Sequence, residues 1–123
     1  MFLLATKKTL PEVRDINKEI KRLTNIFVNL EESKKSLAVG PIKDLAFMRV
    51  TLEKLKDIVN NEGVIDEMDQ GGYTIQRTHP ALKSYNDMIS KYNSSKQLLI
   101  NLLPKEVAKE IDDEFETFVM NRD

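Results

Sequence analysis

The sequence predicts an all-α, oligomeric protein: long antiparallel helical hairpins with a mid-chain loop or short hairpin and a C-terminal helix. Three observations predict it. Apolar residues recur at spacings of three and four over three long stretches. Gly40-Pro41 and His79-Pro80 fall between those stretches, where one helix would stop and another start. Residues 63–78 break the pattern, with a Gly71-Gly72 pair at their centre.

The first helix is expected to open at Thr9-Leu10-Pro11-Glu12. Thr9 can accept an orphan backbone N–H, Glu12 can reach back, and Pro11 suits a first turn. Val13, Ile16, Ile20, Leu23, Phe27, Leu30 and Leu37 then form a narrow seam with a period near 3.5, interrupted at Lys34. Gly40-Pro41 is expected to end this helix and begin a second, from about Pro41 to Asn61. The stripe of the second helix is Leu45, Met48, Leu52, Leu55 and Val59. A short connection makes the two helices antiparallel neighbours. Asn60-Asn61-Glu62-Gly63 stops the second one.

Residues 63–79 form the loop, with a short hairpin at Gly71-Gly72 as one form it can take. The third helix opens at Thr78-His79-Pro80 and carries Leu82, Tyr85, Ile89, Tyr92, Leu99 and Leu103 on one face. Pro104 breaks the chain. A last helix, about Lys105 to Val119, carries Val107, Ile111, Phe115 and Phe118. The expected parts are residues 1–62, an N-terminal helical hairpin; the loop 63–79; and residues 80–123, the C-terminal helices. Together they make one compact domain.

Composition narrows the function. A chain of 123 residues is one domain, and 41% hydrophobic residues supply a core without excess. At this size about a third of the unfolded surface stays exposed, so covering a face with a second copy helps. The chain has no Cys, which excludes disulfides, thiolate metal sites and Cys nucleophiles. The opening MFLLATKK lacks the basic start and apolar length of a signal peptide. No apolar run reaches the roughly 18 residues of a membrane span. A cytoplasmic protein that binds no membrane is expected.

The net charge of −1 hides an asymmetry. Residues 1–61 hold 12 Lys and Arg against 8 Asp and Glu; residues 62–123 hold 7 against 12. The first half is basic and the second acidic, most of all beyond Pro104.

Catalytic signatures are missing. His79 is the only histidine. A base or ligand role lacks companions, and a cap or packing role at the third helix is the simpler reading. Asp112-Asp113-Glu114 occupy consecutive helical positions that point apart, so a solvated acidic face is expected rather than a cation site. Gly71-Gly72 lacks the Gly-Lys-Ser/Thr of a phosphate loop. No enzyme, metal, cofactor or small-molecule substrate is expected.

The cations suggest a partner. Lys7, Lys8, Arg14, Lys18, Lys21 and Arg22 cluster at the amino end. On a helix, Arg14, Lys18, Lys21 and Arg22 lie away from the Val13/Ile16/Ile20/Leu23 seam, where a stripe can bind phosphates through charge and counterion release. The plainer reading is a solvated face in which Asp15 and Glu19 pair with neighbouring lysines. Lys34, Lys35 and Lys43 form a smaller basic group.

Four segments occur in order: EIKRLTNIF at 19–27, LEKLKDIVNNEG at 52–63, DQGGYTIQRTHPALKSYNDMISKYN at 69–93 and LLINLLPKE at 98–106. A helix, a second helix ending in Glu-Gly, a Gly-bearing polar loop, His-Pro-x-Leu opening another helix, and a Leu-rich end with Pro together resemble the phage terminase small subunit family. Where that family has a Gly-Leu-Thr-Pro-like ending, this chain has Leu102-Leu103-Pro104. The resemblance implies a homo-oligomeric ring in a bacterial host, absent from the mature virion. It also implies binding to double-stranded phage DNA at packaging sites, and delivery to a large subunit that holds the ATPase and nuclease.

Under that implication Lys7, Lys8, Arg14, Lys18, Lys21, Arg22, Lys34 and Lys35 are the DNA-contact candidates. Ile20, Leu23, Phe27, Leu30, Leu52 and Leu55 are the candidates for packing between copies. Phe115 and Phe118 would anchor the next subunit or the large one if exposed, and otherwise belong to the core. The alternative is a helical homo-oligomeric interaction module or scaffold that never touches DNA.

Overall fold

The computed structural model describes residues 10–104 and 108. Along them run α1 (Val13–Ile26), α2 (Glu32–Glu62), β1 (Ile65–Asp69), β2 (Thr74–Thr78) and α3 (Pro80–Ile100). The fold is mainly helical, and the expected all-α class is corrected by a two-stranded antiparallel sheet. The proposed last helix, with Phe115 and Phe118, lies outside the described residues, as do Lys7, Lys8 and Thr9.

Helix α1 starts after Pro11. Glu12 takes the N-cap position without a side-chain bond, and its carbonyl receives the N–H groups of Asp15 and Ile16 at 3.1 and 3.0 Å. The helix ends within Thr24-Asn25-Ile26-Phe27-Val28-Asn29, six residues from the weaker half of the helix scale. Its last turn tightens: Phe27 N donates to the Thr24 carbonyl at 3.2 Å and Val28 N to that of Asn25 at 3.4 Å.

The break between the first two helices is therefore at residues 27–31, and α2 runs straight through Gly40-Pro41, the reverse of what the punctuation suggests. Pro41 cannot donate to the Leu37 carbonyl four residues back, at a typical cost of about 3 kcal/mol. Leu37, Gly40 and Pro41 all face solvent, so water reaches that carbonyl. The same stretch buries Ala38, Ile42, Leu45 and Ala46, and burying one Leu or Ile contributes about 1.5–3 kcal/mol. Core burial outweighs the lost bond. Glu32 in the first turn of α2 complements the positive end of the helix.

One core joins the three helices. Leu23 of α1 and Phe27 just after it, Ala38, Ile42, Leu45, Ala46 and Leu52 of α2, and Tyr92, Leu99 and Ile100 of α3 form it. Glu62 at the end of α2 meets His79 at the head of α3, while the middle of α2 lines a groove with Ser94 and Ser95 of α3. Helices α2 and α3 are thus antiparallel.

The strands pair with Ile65 opposite Thr78, Glu67 opposite Gln76 and Asp69 opposite Thr74. Gly71 has φ 91°, a positive φ of the sign a type II′ turn needs at its first central residue. Gln70 N donates to the Tyr73 carbonyl at 2.8 Å, and Gly71 N to Asp69 Oδ1 at 3.1 Å. No residue of either strand is buried, so the hairpin stands off the helices.

Candidate functional site

The hairpin is fastened at its base. His79 caps α3: its Nδ1 accepts the Ala81 N–H at 3.0 Å, which places the ring proton on Nε2, 2.9 Å from Glu62 Oε1. Its own N–H donates to the Val64 carbonyl at 2.8 Å. Gly63, at φ 87°, turns the chain out of α2 in a conformation that side chains resist. One buried imidazole thus ties the end of α2, the root of β1 and the head of α3.

Above the base, the register puts Asp66, Met68, Gln70, Tyr73, Ile75 and Arg77 on one face of the ribbon. Arg77 Nη2 lies 2.9 Å from Asp66 Oδ2 across the strands. Tyr73 and Ile75 are exposed beside them, as are Val64 and Ile65.

The proposed DNA contacts divide. Arg22 turns inward: its Nε donates to Glu19 Oε1 at 2.8 Å and its Nη2 to Oε2 at 2.7 Å. This removes it from the outward stripe. Arg14 is exposed but flanked by Glu12 and Asp15 at 3.5 and 3.6 Å. Lys18 and Lys21 are exposed and form no ion pair among the described residues. Spacings of four and three place Arg14, Lys18 and Lys21 on one ridge of α1. Lys34 is exposed, and Lys35 sits 3.6 Å from Glu32.

The candidates for packing between copies are occupied within one chain. Leu23, Phe27 and Leu52 are buried, Ile20 and Leu30 are half-buried against the same core, and Leu55 is half-buried. The seam expected to join copies is, in its buried part, the chain's own interior. Its ends, Val13 at 71% and Leu37 at 68% exposure, lie outside. A shallow groove of about 540 Å³ between α2 and α3 is lined by Asp44, Phe47, Met48, Ser90, Lys91, Ser94 and Ser95.

A buried polar junction is the feature the sequence reading misses. Arg49 is 5% exposed and lies 3.5 Å from Glu53. Tyr92, at 2% exposure, meets it from α3. Burial raises the Tyr92 hydroxyl above the usual 10.0 and the charge of Glu19 adds to this, while the charges of Arg49 and Arg22 oppose it. The available signal was Arg49 itself, a charge at a core position between Leu45 and Leu52.

No protein family, curated protein or solved structure matches the chain. Function therefore rests on the residues and their geometry. No described helix is long and apolar enough to cross a membrane.

Proposed function

We propose that this chain is a DNA-packaging adaptor of the terminase small-subunit kind. It binds duplex phage DNA, assembles with copies of itself and passes the DNA to a large subunit carrying the ATPase and nuclease. One observation carries the reading. Three of the elements on which the resemblance rests fall where the chain turns. Glu62-Gly63 ends α2, Gly71-Gly72 makes the hairpin turn, and His79-Pro80 opens α3 with His79 bonded back to Glu62. The bond between Glu62 and His79 gives the spacing of those two elements a structural reason.

The ridge of Arg14, Lys18 and Lys21 is the phosphate-facing surface in this reading, since Arg22 is committed to Glu19. Lys7 and Lys8 extend the basic end in sequence. The role is recruitment, with the chemistry left to the large subunit in the host cytoplasm.

Binding to duplex DNA as a function of salt tests it. Affinity should fall steeply from low to moderate salt, and the triple change Arg14→Ala, Lys18→Ala, Lys21→Ala should flatten the logarithmic salt dependence by about three units. Absence of binding at low salt by the assembled protein would end the DNA role. A second reading, a homo-oligomeric interaction module without DNA, is favoured by the acids flanking Arg14 and by the apolar side chains exposed on the hairpin.

A further inference from the structure

The β1–β2 ribbon has two free edges, and they differ in charge. The bonds from His79 N to the Val64 carbonyl and from Gln70 N to the Tyr73 carbonyl fix the parity of the ladder. The hydrogen-bonded pairs are 64 with 79, 66 with 77, 68 with 75 and 70 with 73. The N–H and C=O groups of Ile65, Glu67 and Asp69 therefore point away from β2, and those of Thr74, Gln76 and Thr78 away from β1. Among the described residues nothing covers either edge: only Asp66 and Met68 of the ten strand residues are even half-buried. A lone two-stranded ribbon is marginal in water, and an open edge is a template for another strand.

Edges are usually blunted by Pro, Lys or a bulge. Neither strand contains Pro or Lys, and the register runs without a bulge. The charges present act selectively. β1 carries Asp66, Glu67 and Asp69, so pairing β1 with the β1 of another copy sets acids against acids. β2 carries a single charge, Arg77, and β2 with β2 gains no opposite charge. Pairing β1 with β2 of another copy can repeat the register inside the chain. It places Asp66 beside a second Arg77 and extends the 2.9 Å ion pair into a ladder.

We infer that the β1 edge of one copy pairs with the β2 edge of the next, head to tail. This rests on the self-assembly in the proposed function and supplies it with a surface after the helical seam has been placed in the core. Two unlike edges make a heterologous contact, which continues beyond a dimer and forms a ring where the rotation closes.

The test is the mass of the full chain in solution at micromolar concentration, measured by light scattering. The parent should be larger than a dimer. Glu67→Pro and Gln76→Pro each delete one outward N–H and spare the β1–β2 bonds. Each variant alone should be a monomer, and an equimolar mixture a heterodimer, because each keeps the edge the other lacks. A monomeric parent, a variant that assembles like the parent, or Glu67→Pro dimers joined through β2 would overturn the inference.

Circular dichroism reports whether each variant keeps its helices. If a proline variant unfolds, Gln76→Glu reads the same edge through charge. It should weaken assembly several-fold and recover in the Glu67→Lys/Gln76→Glu chain, and an unchanged assembly would overturn the inference equally. An oligomer that both proline changes leave at the parent's mass would end this inference alone, while an oligomer that ignores DNA would end the packaging reading alone.

Discussion

Arg49 shows how a single side chain departs from the periodic pattern around it. It stands in the Leu45–Leu52 stripe of α2, where an apolar residue would serve the core, and its charge is held by Glu53 with Tyr92 alongside. Removing one member of a buried charged group is expensive because the remainder stays desolvated. Arg49→Ala should lower stability by about 3 kcal/mol in urea unfolding, well beyond a surface substitution. Tyr92 adds a pH signature. Its hydroxyl keeps its proton above 10.0 in the folded chain, chiefly through burial, whereas the unfolded chain releases it near that value. Well below 10.0 both states are protonated and this group contributes no pH dependence. Above it the unfolded state binds fewer protons, so stability falls with rising pH. Unfolding of Tyr92→Phe should show a shallower alkaline decline than the parent between about pH 9 and 11. Equal slopes would contradict the burial of this hydroxyl.

Among the elements, α2 carries the clearest test. Pro41→Ala restores a donor for the Leu37 carbonyl and should stabilise the chain by about 1–2 kcal/mol, after allowing for the extra freedom of the unfolded chain. Loss of stability would mean that Pro41 serves a bend the packing needs. This helix also marks the boundary of what could be read in advance. The stripes at 45–59 and 82–103 were legible because burial imposes a period. The start at His79-Pro80 was legible because proline's fixed φ suits a first helical turn. At Gly71-Gly72 the sequence left a loop and a hairpin both open, since glycine reaches the positive φ of a tight turn without being confined to it. The helix break was not legible. Propensity penalties across residues 24–29 are tenths of a kcal/mol each, while Gly40-Pro41 is a strong local signal that packing overrides. The inward turn of Arg22 and the junction at Arg49 also escaped, since they depend on which faces of α1 and α3 meet α2.

At the scale of the whole molecule, sequence periodicity reports that a face is buried but not which molecule buries it. Leu23, Phe27 and Leu52 are buried by their own chain. Leu23→Ala should therefore cost about 2–5 kcal/mol of folding stability. Phe47→Ser, on a side chain that is 46% exposed, should cost well under half of that in the same urea titration. The reverse ranking would show that the groove between α2 and α3, rather than the Leu23 core, holds the subunit together. The manner in which the ribbon is rooted has one more consequence. No residue of its strands is fully buried, and its two roots are already clasped by Glu62 and His79. Excising residues 65–77 and bridging the gap with a few glycines closes a short loop at little entropic cost. The helical body should then melt as a cooperative unit close to the parent temperature, because its core owes nothing to the appendage.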